Sequence, residues 1–286
     1  MEDFDKLWDY GDPAGTEAKF RELLPKAEVS GNPSYHLQLL TQIARAQGIQ
    51  ERFDDAHATL REVRGWAPDD ATLVRIRERL EQGRVFNSAG QSDKGVPAFK
   101  EALVLAAQHA YLRYAIDAVH MLGIAAATPE EQIEWNLRGI EMVEKNPSQK
   151  HWLWSLYNNL GESYAKAGDY RRALETFRKL AAFHTEQGRE VDIYNLKDQA
   201  RMLRLMGRTD EAMSIVGPIF ERLDRESAQD GWITQEYAEL LLLSCGAEAA
   251  RPHFERAYAL LSQDAWVRRH ERAMLDRLKT LGGVET

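Results

Sequence analysis

Tyr157-Asn-Asn-Leu160-Gly161-Glu-Ser-Tyr164, continued by Gly168, Tyr170, Ala173 and Phe177, reads as one complete helix–turn–helix unit. A large apolar residue, a Leu-Gly pair and an aromatic mark the first helix. A small residue and then an aromatic mark the second. The glycine lets two helices approach closely, and the aromatics fill the space beside it. A unit this short cannot bury its own apolar face, so it implies stacked neighbours.

The same pattern recurs along the chain. With Phe177 as anchor, the matching bulky positions are Phe20, Leu60, Phe99, Asn136, Phe177, Val216 and Phe254, with Asn136 the least typical. Their successive differences, by subtraction, are 40, 39, 37, 41, 39 and 38 residues. First helices carry a small residue at Ala44, Gly83, Gly123, Gly161, Ala200 and Ala238. Second helices present Ala56/Leu60, Gly95/Phe99, Gln132/Asn136, Ala173/Phe177, Ala212/Val216 and Ala250/Phe254. A period of this length sustained over the whole chain signals a stack of helical hairpins.

Helix start and stop signals agree. Thr128-Pro129-Glu-Glu131 supplies an N-cap, a proline suited to the first turn and acidic residues at the helix N-terminus. Ala67-Pro68 and Asn146-Pro147 mark boundaries between hairpins. Pro97 and Pro252 are predicted in first turns, and Pro218 is predicted to kink its helix or end it early. Gly31-Asn32-Pro33-Ser34 separates a degenerate N-terminal hairpin, residues 1–33, from regular repeats over 34–264. Residues 265–281 read as one amphipathic helix with Arg268, Arg269, Arg272 and Arg277 on its polar face, so 265–286 is expected to cap the stack. No strand-like alternation occurs, which predicts an all-α chain.

Composition bounds the function. The chain of 286 residues has a net charge of −8, which argues against a nucleic-acid partner. Lone Cys245 excludes an internal disulfide, and its neighbours predict a packed, inert thiol. The acidic N-terminus lacks the features of a signal peptide, and no segment approaches the roughly 20 apolar residues of a membrane span. A cytoplasmic protein without a membrane partner is expected. Eight histidines include His109 and His120, expected to share a helix, but no HExxH or CxxC pattern is present. Gly-rich phosphate loops and nucleophile elbows are missing as well. The expectation is therefore no enzyme, no metal and no cofactor. Trp152 and Trp154 are expected to pack where two hairpins meet.

The segment Tyr157–Phe177 resembles a tetratricopeptide repeat, with the aromatic, Leu-Gly, Tyr, Gly, Ala and Phe at family spacing. Gly83/Phe86/Gly90/Phe99/Ala102 and Ala56/Leu60/Val63/Pro68 match next best, and the likeness spans roughly residues 34–264. The period here averages 39 by the differences above, against a usual length of about 34. It is similar in this respect to the extended arrays of kinesin light chain, as is Asn158-Asn159-Leu160-Gly161. The resemblance implies a right-handed superhelical stack of about seven hairpins with a C-terminal capping helix. It also implies a concave groove lined by first helices, which binds a protein or peptide segment.

Steps of four, three and four residues along each first helix pick out the side chains expected to face that groove; Ile49, Ile124, Leu205 and Leu243 fall on this stripe, with His120 and Asn158 alongside it. The candidates are Gln42, Arg45, Arg77, Glu81, Arg84, His120, Asn158, Asn159, Glu162, Lys166, Tyr194, Lys197, Arg201 and Arg204. Arg45, Arg84 and Arg201 occupy one repeat position. Each either holds an incoming carboxylate bidentately or pairs with a neighbouring acid such as Glu81 or Asp198. Asn158 or Asn159 can donate and accept toward a peptide backbone. Met121, Ile124, Tyr194 and Trp232 would make parts of the groove apolar, or else pack beneath it. The alternative function is a regulator that changes conformation on binding a signalling peptide and so controls a partner protein. Homo-oligomers are possible in either case.

Overall fold

The 39-residue rhythm is visible first in the turns. Arg52, Gln91, Asp169 and Arg208 each donate a backbone N–H to the carbonyl five residues back, Gln47, Phe86, Tyr164 and Leu203, at 2.9 to 3.0 Å. This bond closes a helix only if the residue just before the donor is left-handed. Gly90, Gly168 and Gly207 take that conformation without a Cβ penalty, at φ of 72° to 78°. In the first such turn the residue is Glu51, at φ 61°.

A computed structural model describes residues 3–284, which hold fifteen α-helices, two 3-10 turns and no strand. The first turn, Phe4–Leu7, is followed by α1 (Pro13–Val29), α2 (Pro33–Ile49), α3 (Phe53–Trp66), α4 (Thr72–Ser88) and α5 (Ser92–Gln108). Next come α6 (Leu112–Ala125), α7 (Pro129–Glu144), the second 3-10 turn Pro147–Trp152, α8 (Leu153–Lys166) and α9 (Tyr170–Glu186). The chain continues with α10 (Ile193–Leu205), α11 (Thr209–Arg225), α12 (Gly231–Ser244) and α13 (Ala247–Leu261). It ends with α14 (Ala265–His270) and α15 (Arg272–Gly282). Two compact units divide it inside α8, Met1–Leu160 and Gly161–Thr286.

Within the first unit α2, α4 and α6 are first helices, pairing with α3, α5 and α7, and α2 also packs on α4 and α4 on α6. In the second, α10 pairs with α11 and α12 with α13, while α10 packs on α12. All seven periodic positions, from Phe20 to Phe254, are at most 1% exposed. Burying an aromatic or branched aliphatic side chain to that degree stabilises by about 1.5–3 kcal/mol each. The small residues opposite them are required by space. A methyl group on Gly161 would lie 2.6 Å from the Phe177 ring, and one on Gly83 would overlap Phe99. Asn136 fills the same niche against Gly123, donating from Nδ2 to the carbonyls of Gly123 (3.3 Å) and Gln132 (2.9 Å). The Thr128 hydroxyl accepts from the Glu131 N–H at 3.2 Å, as the N-cap signal required.

Several local expectations are corrected. Helix α11 runs through Pro218 to Arg225, because Val216, Ile219 and Phe220 on both sides of the proline are buried in one cluster. Tertiary packing there outweighs the missing hydrogen bond. Pro97 and Pro252 lie in second turns, since α5 and α13 begin five residues before them, at Ser92 and Ala247. The segment 265–281 is not one helix: α14 ends at His270, and α15 starts after Glu271, which has φ −117° and ψ 35°. His109 and His120 do not share a helix, because α5 ends at Gln108, with His109 as its C-cap, and left-handed Ala110 (φ 59°) turns the chain into α6. Cys245 is exposed, sitting where α12 ends and Gly246 at φ 88° turns outward. Trp154 is also exposed, while Trp152 is half-buried against His120, with ring centroids 5.4 Å apart.

Candidate peptide-binding face

Buried charges must be paired, and the first helices pair theirs with one another. In the first unit Arg45 of α2 lies 3.8 Å from Glu81 of α4. Arg84, one turn on, donates to Glu81 Oε1 at 2.7 Å and to Asp117 Oδ1 of α6 at 2.5 Å. One turn beyond Asp117, the His120 Nδ1 accepts from Asn159 Nδ2 of α8 at 3.2 Å. Side chains at the sequence-derived stripe positions of four successive first helices therefore touch in series.

Their protonation follows from these contacts. Burial alone would push Asp117 up, but Arg84 and Arg45 outweigh it and hold its carboxyl below the ordinary range. Burial pushes His120 down to about 4, only partly offset by Asp117, so the ring is neutral at physiological pH. A neutral ring with a free Nδ1 lone pair is what the Asn159 amide needs as acceptor.

The second unit repeats the arrangement. Glu162 of α8 pairs with Arg201 of α10, which also lies 3.4 Å from Asp198. Lys197 Nζ sits 2.9 Å from Asp198 and over the Trp232 ring at 5.8 Å. Arg204 holds Glu236 of α12 bidentately at 2.7 and 2.9 Å. Arg277 of α15 reaches Glu239 at 2.8 to 3.1 Å. Burial pushes the Asp198 and Glu236 carboxyls up against the pull of these cations. Tyr194 donates to Asp230 Oδ2 at 2.7 Å, and that bond, with burial, pushes its phenol up to about 12. Of the two readings of Arg45, Arg84 and Arg201, pairing with neighbouring acids is the geometry observed. Lys166 is exposed near the end of α8, and Asn158 is half-buried.

Residues that the sequence did not single out cover part of this face. Asp5 lies on Arg77, its Oδ1 and Oδ2 accepting at 3.1 and 2.5 Å, while Tyr114 accepts from Arg77 Nε at 2.9 Å. Burial would lower the Arg77 guanidinium, but Asp5 and Tyr114 leave it raised. Trp8 Nε1 donates to Gln42 Oε1 at 3.0 Å. Trp8 and Tyr10 stack at 4.9 Å, with the Arg45 guanidinium 5.4 Å from each ring. Beside them Gln42, Arg45, Arg77, Glu81 and Arg84 all line one polar cavity of about 170 Å³. Nothing in the spacing pointed to Asp5, Trp8 or Tyr10, because they precede the first regular repeat. Their alternation of acids and aromatics was the available signal.

A family model described as tetratricopeptide repeat matches residues 155–182, the segment whose glycine and aromatic pack so closely in the structure. The fold is a tetratricopeptide-repeat-like stack of helical hairpins, and one of its hairpins carries the repeat's own sequence pattern. No curated protein matches it. Among solved structures, a tetratricopeptide repeat protein from Parabacteroides merdae is similar over 98% of this chain and 96% of its own, at 17% identity and TM-score 0.60. The apo form of RapI is similar over 99% of this chain and 81% of its own, at 10% identity and TM-score 0.67. NprR in complex with its cognate peptide NprX is similar over 94% of this chain and 79% of its own, at 13% identity and TM-score 0.61. At these identities the likeness concerns the fold.

Proposed function

We propose that this chain is a non-catalytic interaction module, with residues 34–264 as its repeat array, whose first-helix face binds an extended segment of a protein or peptide. One observation carries the reading. Ile49, Ile124, Leu205 and Leu243 are large apolar side chains on first helices, each 40% exposed or more, and all four fall on the sequence-derived stripe. Apolar groups held in water beside an internally neutralised charge network suit a ligand with apolar side chains along a polar backbone. Lys166 on that stripe and Asn158 alongside it carry hydrogen-bond donors. An apolar slot of about 260 Å³, lined in part by Ile49, Val85 and Met121, offers room for one side chain. Within each unit the packed helices order little on binding, which leaves more of the contact energy as affinity.

The test is substitution on the exposed stripe. Ile124→Asp and Leu205→Asp should each reduce capture of the native partner at least tenfold while melting stays unchanged. Val104→Asp, on the exposed side of second helix α5, should not. Equal behaviour of all three would refute the assignment.

A second reading, a regulator that answers to a signalling peptide, takes its support from NprR, whose peptide complex has this fold. Solution scattering should then change on addition of the peptide, whereas a scaffold's profile stays fixed.

A further inference from the structure

The segment from Asp3 to Tyr10 is the least regular part of the first unit, yet it makes the most specific contacts with the first-helix face. Phe4 anchors it: this ring is 6% exposed, meeting Phe20 and Tyr35 edge-on at 6.4 and 5.1 Å. Trp8 adds a second edge-on contact with Phe20, at 5.4 Å, and Leu7 packs on the same cluster. Beyond these the contacts are those of a ligand. A carboxylate lies in an arginine fork, as Asp5 does on Arg77, with Arg113 3.6 Å away. An indole donates to a buried amide, Trp8 to Gln42, and two stacked rings lie against the Arg45 guanidinium. Both hydrogen-bonded links, to α2 and to α4, run between side chains. The backbone N–H of Asp9 bonds instead to the Thr16 hydroxyl at the start of α1.

The fit is incomplete. The polar cavity remains between this segment and α4 and α6, and in it Glu81, only 2% exposed, has an Oε2 without a hydrogen-bond partner. A permanently built interface rarely leaves a buried carboxylate oxygen unsatisfied, since that costs desolvation without return. An occupant that can leave tolerates it.

We propose that residues 3–10 are a built-in, displaceable ligand of the first unit's face, pivoting on Phe4. The face then accepts in trans a segment of the same chemistry, a carboxylate three residues before a tryptophan. This rests on the first-helix face being the binding surface, and it adds both the kind of partner and a gate. A tethered segment competes at a high effective concentration, in the millimolar range for a short link. An incoming peptide therefore binds weakly until the segment is released.

The experiment uses the full chain. Asp5→Ala with Trp8→Ala removes both hydrogen-bonded groove contacts, along with the Trp8 edge contact on Phe20, and keeps the Phe4 anchor. A fluorescein-labelled peptide copying residues 3–10 is titrated by anisotropy against this variant and the wild type. The variant should bind at least tenfold more tightly than the wild type. Adding Arg45→Ala, a half-buried residue, should leave circular dichroism unchanged and weaken that binding. A peptide with lysine for the aspartate and alanine for the tryptophan should not bind. Equal binding to wild type and released variant, or binding to neither, overturns the proposal. If the peptide binds neither while Ile124→Asp still abolishes partner capture, the interaction face stands and the built-in ligand falls. If the released variant binds the peptide but partner capture ignores Ile124→Asp and Leu205→Asp, the built-in ligand stands and the face is not the partner's site.

Discussion

Arg84 carries two carboxylates that water does not reach freely, and its removal strands both. Arg84→Ala should destabilise the fold by about 3–5 kcal/mol in urea unfolding, the cost typical of an uncompensated buried charge. His120 supplies a pH signature. Its native value of about 4 lies below the ordinary 6.5, so the unfolded chain takes the proton more readily. The stability it contributes is complete above pH 6.5 and is lost as pH falls toward 4, at about 1.4 kcal/mol per unit and about 3 kcal/mol in all. Asp117, whose native value is lowered from 3.8, keeps its contribution above that pH and loses it only below. His120→Asn should flatten the stability profile between pH 6.5 and 4 and leave the more acidic limb in place. Glu51 occupies a turn position that glycine fills in three other repeats, so Glu51→Gly should stabilise by about 1–2 kcal/mol in the same measurement. The sequence showed that Arg45, Arg84 and Arg201 share a repeat position. It did not show which acid each would meet, because Glu81 and Asp117 are both within one arginine's reach and helix rotation decides.

Helix pairs in this chain touch at one small residue facing one bulky residue, and that contact was readable from spacing alone. Gly161→Ala should cost about 1–3 kcal/mol through overlap with Phe177, seen as a lower melting temperature. The double variant with Phe177→Leu should be less destabilised than the two single losses added together, since the smaller side chain vacates the space the methyl needs. Boundaries were less readable. Pro218 read as a kink or an early end, yet α11 continues past it to Arg225 because apolar residues flank it on the buried side. Glu51, Ala110 and Ser227 take left-handed turns that composition would assign to glycine, so the ends of α2, α5 and α11 carried no glycine signal.

Each compact unit presents one row of charges that cancel between neighbouring helices. Periodicity revealed the stack because every hairpin must bury the same face, and the same logic led to the proposed interaction stripe. The N-terminal cover escaped it, being neither periodic nor helical beyond a single 3-10 turn. The alternating rows have a kinetic consequence. Opposite charges at contact distance produce a field that dies away within a few ångströms, so a ligand in solution feels little pull until it arrives. Association should then proceed at about 10⁵–10⁷ per molar per second, without electrostatic steering. Stopped-flow rates for the arm-released variant and its peptide should change by less than about threefold between low and physiological salt. A rate that falls as salt rises would mean that the rows do not cancel, since the net charge of −8 can only repel the acidic peptide. Recognition on such a surface is decided after collision, by how long the complex lasts rather than how often it forms.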